Sequence, residues 1–277
     1  MTDITLNAAT RTSVLELQRN ARLRLQTASH LESGRRVSRV NDNPSSFFQG
    51  KALSNRVSDL LQLKSGTGQA LSAVESALDG TEAVESLTRQ LRGLAVSAKG
   101  VSSEQRAAIS EQFDTLRNQL GALAADVSYG GVSLLSSPAQ SLNVEVGDVS
   151  SAEISVNGQA ADAASLGIGT ASGDYNGFAT DADIDAALSA LGNAVTTVRS
   201  ATSQFGSSVA SLNIREEFTT SLSQTLSAGE AKLVNADLNE EGARLLAIRS
   251  RDALGQLGIQ VATQSESSIL QLLGGGA

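Results

Sequence analysis

Cysteine and tryptophan are absent from the chain, histidine occurs once, proline twice, and phenylalanine and tyrosine together make up 3% of its 277 residues. Each shortage removes a class of answers. Without cysteine there is no disulfide framework and no thiolate metal site, although this does not fix the compartment. A single histidine, His30, excludes His-clustered zinc or iron sites and any Ser–His–Asp triad built on another histidine. Large aromatics usually anchor thick cores. Their scarcity predicts a thin, rod-like core closed by Leu, Val and Ala. No apolar run approaches the ~20 residues of a membrane span, so no membrane partner is expected. The opening MTDITLNAATR lacks the basic start and apolar stretch of an ordinary signal peptide.

The motifs of catalysis and cofactor binding are also missing. Neither a Walker A nor a G-x-S-x-G sequence occurs, and GIGTASG (167–173) lacks the G-x-G-x-x-G spacing. Asp181, Asp183 and Asp185 imitate the start of a calcium loop. Ala186 and Gly192 stand where that loop needs glycine and glutamate, so the three read as helix-start residues. Glu240-Glu241 is no catalytic pair, because adjacent helical residues do not face each other; both are expected on a solvated face. His30 reads as an ordinary packing or surface residue. No catalytic, cofactor-binding or metal residue is assigned, and the chain is not expected to be an enzyme.

What the chain has in abundance is helical periodicity. Val14, Leu17, Ala21, Leu25, Ala28 and Leu31 recur at steps of three or four until Ser33-Gly34 interrupts. NDNPSS (41–46) reads as irregular, since Pro44 disfavours helix at Asn43. A second helix is expected from about Phe48 to Ala98, with one skipped register step between Leu78 and Val84. Ser102 and Gln105 form a capping-box pattern, and a third helix follows on Phe113, Leu116, Leu120, Leu123 and Val127. Alternation in Leu142, Val144, Val146 and in Ile154, Val156 predicts two short strands. Asn157-Gly158 reads as a further turn, and GIGTASGDYNG as a surface loop. From Asp181 to about 235, Ile184, Leu188, Leu191, Val195, Val198, Thr202, Phe205, Val209 and Leu212 keep a coiled-coil spacing. A helix that long needs the second and third helices antiparallel beside it.

The last segment, 237–273, is helical again but apolar on more than one stripe, which a surface helix would not need. The net charge of −8 is uneven: residues 1–40 carry +4, residues 237–277 carry −2, and the acidic remainder reads as solvated surface. A basic head and an acidic tail attract each other. A nucleic-acid arm would show aromatic interleaving and a basic total, so no nucleic-acid partner is expected.

The fold class expected is therefore mainly α: a long antiparallel helical bundle or coiled-coil rod with a small β-hairpin region and paired terminal helices. Residues 1–40 and 236–277 form the two halves of one terminal-helix domain, and 41–235 a rod with its hairpin insert at about 129–180. The spare apolar surface of the ends predicts an assembly interface with other copies of the chain. Val14, Leu17, Leu25, Leu31, Leu245, Leu246, Ile248, Leu254, Leu257, Ile259, Ile269 and Leu272 are its candidate residues.

Four segments, in order, resemble the bacterial flagellins: LESGRRVSRVNDNPSSFFQGKAL (31–53), LTRQLRGLAVSAKG (87–100), VSYGGVSLL (127–135) and ADLNEEGARLLAIRSRDALGQLGIQVATQSESSILQLL (236–273). The resemblance covers nearly the whole chain. It implies a secreted structural subunit of the flagellar filament, serving swimming motility, without a cofactor and without the outer domains that many flagellins carry. The implied partners are further copies, the flagellar type III export apparatus with its chaperone, and the hook-associated junction and cap proteins. DNPSSFF (42–48) departs from the family's small-residue D-D-x-A-G run. A D-x-P run is also found in the hook–filament junction protein, the alternative reading. Gln90 and Gly93 depart from the family's R-x-R-E-L-A-V motif, in a region read by the innate immune flagellin receptor.

Overall fold

A computed structural model describes residues 8–147 and 152–274; the side chains of 8–10, 266 and 269–274 lie outside that description. The chain is mainly α, as its periodicity predicts. In order come α1 (Ala8–Ser33), α2 (Pro44–Ala98), α3 (Ser103–Asp126), β1 (Ser141–Glu145), β2 (Glu153–Asn157), a 3-10 turn at Asn176–Phe178, α4 (Asp181–Val234) and α5 (Leu238–Gly274). They form two compact units: a central one of residues 56–224, and a terminal one that joins 1–55 to 225–277.

The central unit is built on α2 and α4 running antiparallel. Cross-pairs mark the alignment: Lys99 with Asp185, Glu85 with Arg199, Thr81 with Thr202, and Lys64 with Glu216. On α4, Ile184, Leu191, Val198, Phe205 and Leu212, one heptad apart, are fully buried. Leu188, Val195, Thr202 and Val209 between them are half-buried. This is the seam the sequence spacing predicts. The skipped step in α2 does not end the helix. It brings a buried threonine, Thr81, to face Thr202, and the two hydroxyls bond at 3.0 Å.

Helix ends follow local chemistry. α2 begins at Pro44, not near Phe48 as the sequence suggests. Proline suits the first helical position, where no N–H is needed, and the Asn43 side chain accepts the Ser46 N–H at 3.0 Å. At α3, Gln105 Oε1 accepts the Ser102 N–H at 3.2 Å, as the capping pattern predicts. The acidic start of α4 is consumed by structure. Asp183 caps through the Thr180 N–H at 2.8 Å, Asp181 pairs with Arg106 and Asp185 with Lys99. Hydrogen bonds from the Thr180 hydroxyl and N–H hold the Asp183 carboxyl below the usual carboxylate range.

β1 and β2 pair antiparallel, with Leu142 opposite Val156 and Val144 opposite Ile154. Val146 lies just past β1 and donates to the Ala152 carbonyl at 2.9 Å. Most of the GDVSSA connection lies outside the described residues.

Two expectations fail beyond β2. Asn157-Gly158 is not a tight turn. Gly158 and Gln159 continue alongside the 134–140 segment, donating to Gln140 and Leu134 carbonyls. A Cβ on Gly158 would sit 2.3 Å from the Gln140 oxygen and 2.7 Å from that of Leu134. Glycine is required there by close approach of two backbones, not by a turn. Gly158→Ala is accordingly expected to destabilise the chain by ~1–3 kcal/mol, read as a lower urea midpoint. An unchanged midpoint would refute that account.

Nor is the glycine- and serine-rich segment only a surface loop. Ile168, Ala171 and Tyr175 within it, and Ala161, Ala163, Leu166 and Phe178 beside it, are buried in the central core. Phe113 of α3 meets Phe178 edge-on at 5.4 Å between centroids and Tyr175 at 6.3 Å. Three of the eight aromatics meet at this point, so the core is not closed by Leu, Val and Ala alone. Asp114 of α3 accepts the Ala171 and Ser172 N–H groups, and Arg117 donates to the Ile168 carbonyl at 2.8 Å. These bonds satisfy backbone that a helix or sheet would otherwise satisfy.

Candidate assembly interface

In the terminal unit, backbone bonds fix where α1 ends. Arg36 and Val37 donate to the Val234 carbonyl at 2.7 and 3.1 Å, and Ala236 donates to that of Gly34 at 3.0 Å. Val37 and Val234 are buried beside them. Asp237 then starts α5 by accepting the Asn239 and Glu240 N–H groups. This staple sets α1 and α5 side by side and antiparallel: His30 faces Glu241, Arg24 faces Asp252, and Leu17 packs over Gly255.

The seam between the two helices is polar for a helix pair. On α1 its buried positions are Asn20, Thr27 and His30; on α5 they are Glu241 and Ile248. His30 Nδ1 lies 3.0 Å from Glu241 Oε1, and the Arg244 guanidinium approaches the same oxygen at 3.3 Å. Arg24 lies 3.7 Å from the largely buried Asp252. Glu241 Oε2 and Asp252 Oδ1 are buried without a hydrogen-bond partner among the described residues. Each such orphan works against pairing, by roughly 1–3 kcal/mol.

The outside of the pair is the reverse. Leu15 and Leu25 on α1, and Leu246, Leu254, Leu257 and Val261 on α5, are each more than half exposed. Leu15 and Leu23 line a shallow groove on α1 together with Arg19 and Arg22. A stable solitary pair would place leucines inside and carboxylates outside. Here Glu241 is 4% exposed and Leu254 68%.

The candidate interface residues divide accordingly. Leu25, Leu246, Leu254 and Leu257 face outward. Val14, Leu17, Leu31, Leu245 and Ile259 are half-buried, and Ile248 is buried in the pair itself. The side chains of Ile269 and Leu272 lie outside the described residues. Sequence reasoning missed Leu15 and Leu23, because it followed one stripe on α1 where apolar residues lie on two, and it left Val261 of α5 out of the candidates. It also misplaced Glu241: Glu240 is exposed and pairs with Arg244, whereas Glu241 turns inward to His30. Their different directions follow from the ~100° step of a helix. The heptad from Glu241 through Ile248 to Gly255 could have signalled it.

A groove of about 1010 Å³ lies between α2, Tyr129–Val132 and β1; its charged lining is Asp59 and Glu145. Among the described residues no cluster of three His, Cys, Asp or Glu could hold a metal ion. No described helix is long and apolar enough to cross a membrane.

Residues 4–140 match the family described as the bacterial flagellin N-terminal helical region. The chain belongs to the bacterial flagellin family. Flagellin FljK of Caulobacter vibrioides is 29% identical over 160 residues, 58% of this chain and 57% of that protein. Flagellin D of Rhizobium meliloti is 33% identical over 99 residues, 36% of this chain and 25% of that protein. The chain thus spans little more than half the length of the Caulobacter relative it matches. The crystal structure of Bacillus cereus flagellin aligns with 60% of this chain and 94% of its own, at 17% identity and a TM-score of 0.48. Nothing in these matches favours the junction-protein alternative. Within the flagellin family match fall α1, α2 and α3, up to the residue before β1.

Proposed function

We propose that the chain is a structural, non-enzymatic subunit that self-assembles into the bacterial flagellar filament, outside the cell, and serves swimming motility. The observation that supports this reading is the inverted terminal pair, with carboxylates and histidine inside and leucines outside. Fully burying one such leucine is worth about 1.5–3 kcal/mol. The outward residues Leu25, Leu246, Leu254 and Leu257 contact further copies. Val14, Leu17, Leu31, Leu245, Ile248 and Ile259 hold the pair that presents them, and Ile269 and Leu272 extend the surface toward the end of the chain. Residues 1–40 and 236–277 form the assembling domain, and 41–235 the rod that accompanies it. The type III export apparatus and its chaperone, and the hook-associated junction and cap proteins, are the further partners this role requires.

The test is polymerisation of the purified full chain on short sheared filament seeds, followed by sedimentation and electron microscopy. The expected result is filament growth above a critical concentration. A chain that stays monomeric at every concentration, seeded or not, overturns the proposal.

A further inference from the structure

We propose that the groove beside β1 receives the Ile214–Phe218 face of α4 from a second copy of the chain, a side-by-side contact between central units. That such copies go on to polymerise rests on the assembly reading above; the contact itself does not.

Among the described residues of the central unit, the exposed large apolar side chains are Leu61, Val96, Tyr129, Ile214 and Phe218. Ile214 and Phe218 stand one turn apart on α4 and so share a face. The Arg215 guanidinium carbon lies over the Phe218 ring, 5.8 Å from its centroid. Together the three present an apolar knob that carries a cation. The neighbouring carboxylates are directed elsewhere. Glu216 lies 3.8 Å from Lys64, and Glu217 stands ~100° round the helix from Phe218.

The groove has the complementary character. Its walls include Leu63, Ala70, Val132, Leu142 and Val144, and its charged lining is Asp59 and Glu145, with no lysine or arginine. At about 1010 Å³ it has room for a phenyl ring, an isoleucine side chain and a guanidinium together. The apolar atoms leave water against the walls, while the cation meets the two carboxylates and fixes the orientation. Knob and groove are different surfaces, so a copy that inserts its knob into one neighbour keeps its own groove open for the next. Such heterologous contacts build open helical arrays, whereas a self-complementary patch closes a dimer. The Lys64–Glu216 pair sets both features at one level of the α2–α4 pair, so parallel copies meet sideways.

The absence of cysteine makes the test direct, because introduced thiols have no competitors. One full-length protein carries Asn143→Cys, on β1 at the groove. Another carries Ser211→Cys, exposed one turn before Ile214 on the face of the knob. The two unassembled proteins are mixed at high concentration and oxidised. The 143–211 product should exceed each same-site dimer more than about tenfold, and added salt should lower it. Arg215→Glu or Phe218→Ser on the second protein should cut that product about tenfold, and Asp59→Lys with Glu145→Lys on the first should restore what Arg215→Glu removes. These side chains are exposed or half-buried, so helix content by circular dichroism should not change. A mixed product no commoner than random pairing gives overturns the proposal, and so does a charge swap that restores nothing. Dominant 143–143 or 211–211 dimers would mark a self-complementary patch and overturn it too. So would ring closure within one chain carrying both thiols, since the groove would then hold its own α4. Seeded pelleting of the parent chain reports on the assembly reading separately: a chain that cross-links as expected yet never pellets keeps this contact and loses that reading.

Discussion

Leu257→Asp is expected to abolish filament growth while leaving the subunit folded. Leu257 is more than half exposed on α5, so in the free chain the new carboxylate meets water and stability should change by no more than about 0.5 kcal/mol. In the polymer the same position is to be covered by a neighbour. Burying an unpaired carboxylate costs several kcal/mol at least. A loss of ~4 kcal/mol per subunit raises the critical concentration about a thousandfold, beyond any concentration used in a pelleting assay. Asp181→Asn serves as the comparison. It removes the ion pair with Arg106 in the central unit, where the carboxylate side chain is largely exposed and the pair is worth about 1 kcal/mol or less. That variant should still pellet. Equal pelleting of both variants would show that the outer face of α5 is not the assembly surface.

The helices were legible because each carries a long periodic signal. The α4 spacing from Ile184 to Leu212 predicts its buried and half-buried positions residue by residue. What was not legible depends on contacts distant in sequence. Gly158 gives the same local signal whether it turns the chain or lies against the carbonyls of Leu134 and Gln140. Only the partner segment decides. The 161–178 stretch looks like a loop because its buried residues follow neither helical nor strand spacing. Its backbone is satisfied instead by its own turns and by Asp114 and Arg117 of α3. Glu241 is a failure of a different kind. Charged residues are almost never fully buried unless paired, and of its two partners only Arg244 is local, while His30, the one across the seam, lies far away in sequence. For the candidate interface, the sequence marked which helices carry surplus apolar surface. It left unmarked the rotation of each helix about its axis, and so which leucines point out.

Phe178→Ala is expected to be the most damaging single truncation in the central unit, at about 3–5 kcal/mol. Phe178 is fully buried and meets Phe113 at 5.4 Å and 84° while stacking on Tyr175 at 6.4 Å. Its removal loses transfer energy, opens a cavity and breaks the aromatic cluster that anchors the approach to α4. The backbone adds a sharper test. Phe178 has a φ of +60°, in the left-handed region that a residue with a Cβ occupies at a cost of about 1–2 kcal/mol. Packing of the ring and the bonds from Arg106 to the Phe178 and Ala179 carbonyls hold it there. Alanine loses the ring but keeps the Cβ, and so keeps the strain. Glycine loses both. Phe178→Gly should therefore be no less stable than Phe178→Ala, the reverse of the usual order in helices and strands. Urea melts of the two variants decide. A glycine variant less stable than the alanine one by about 1 kcal/mol, the ordinary difference, would mean that the ring is seated without backbone strain and that cavity formation alone accounts for the loss.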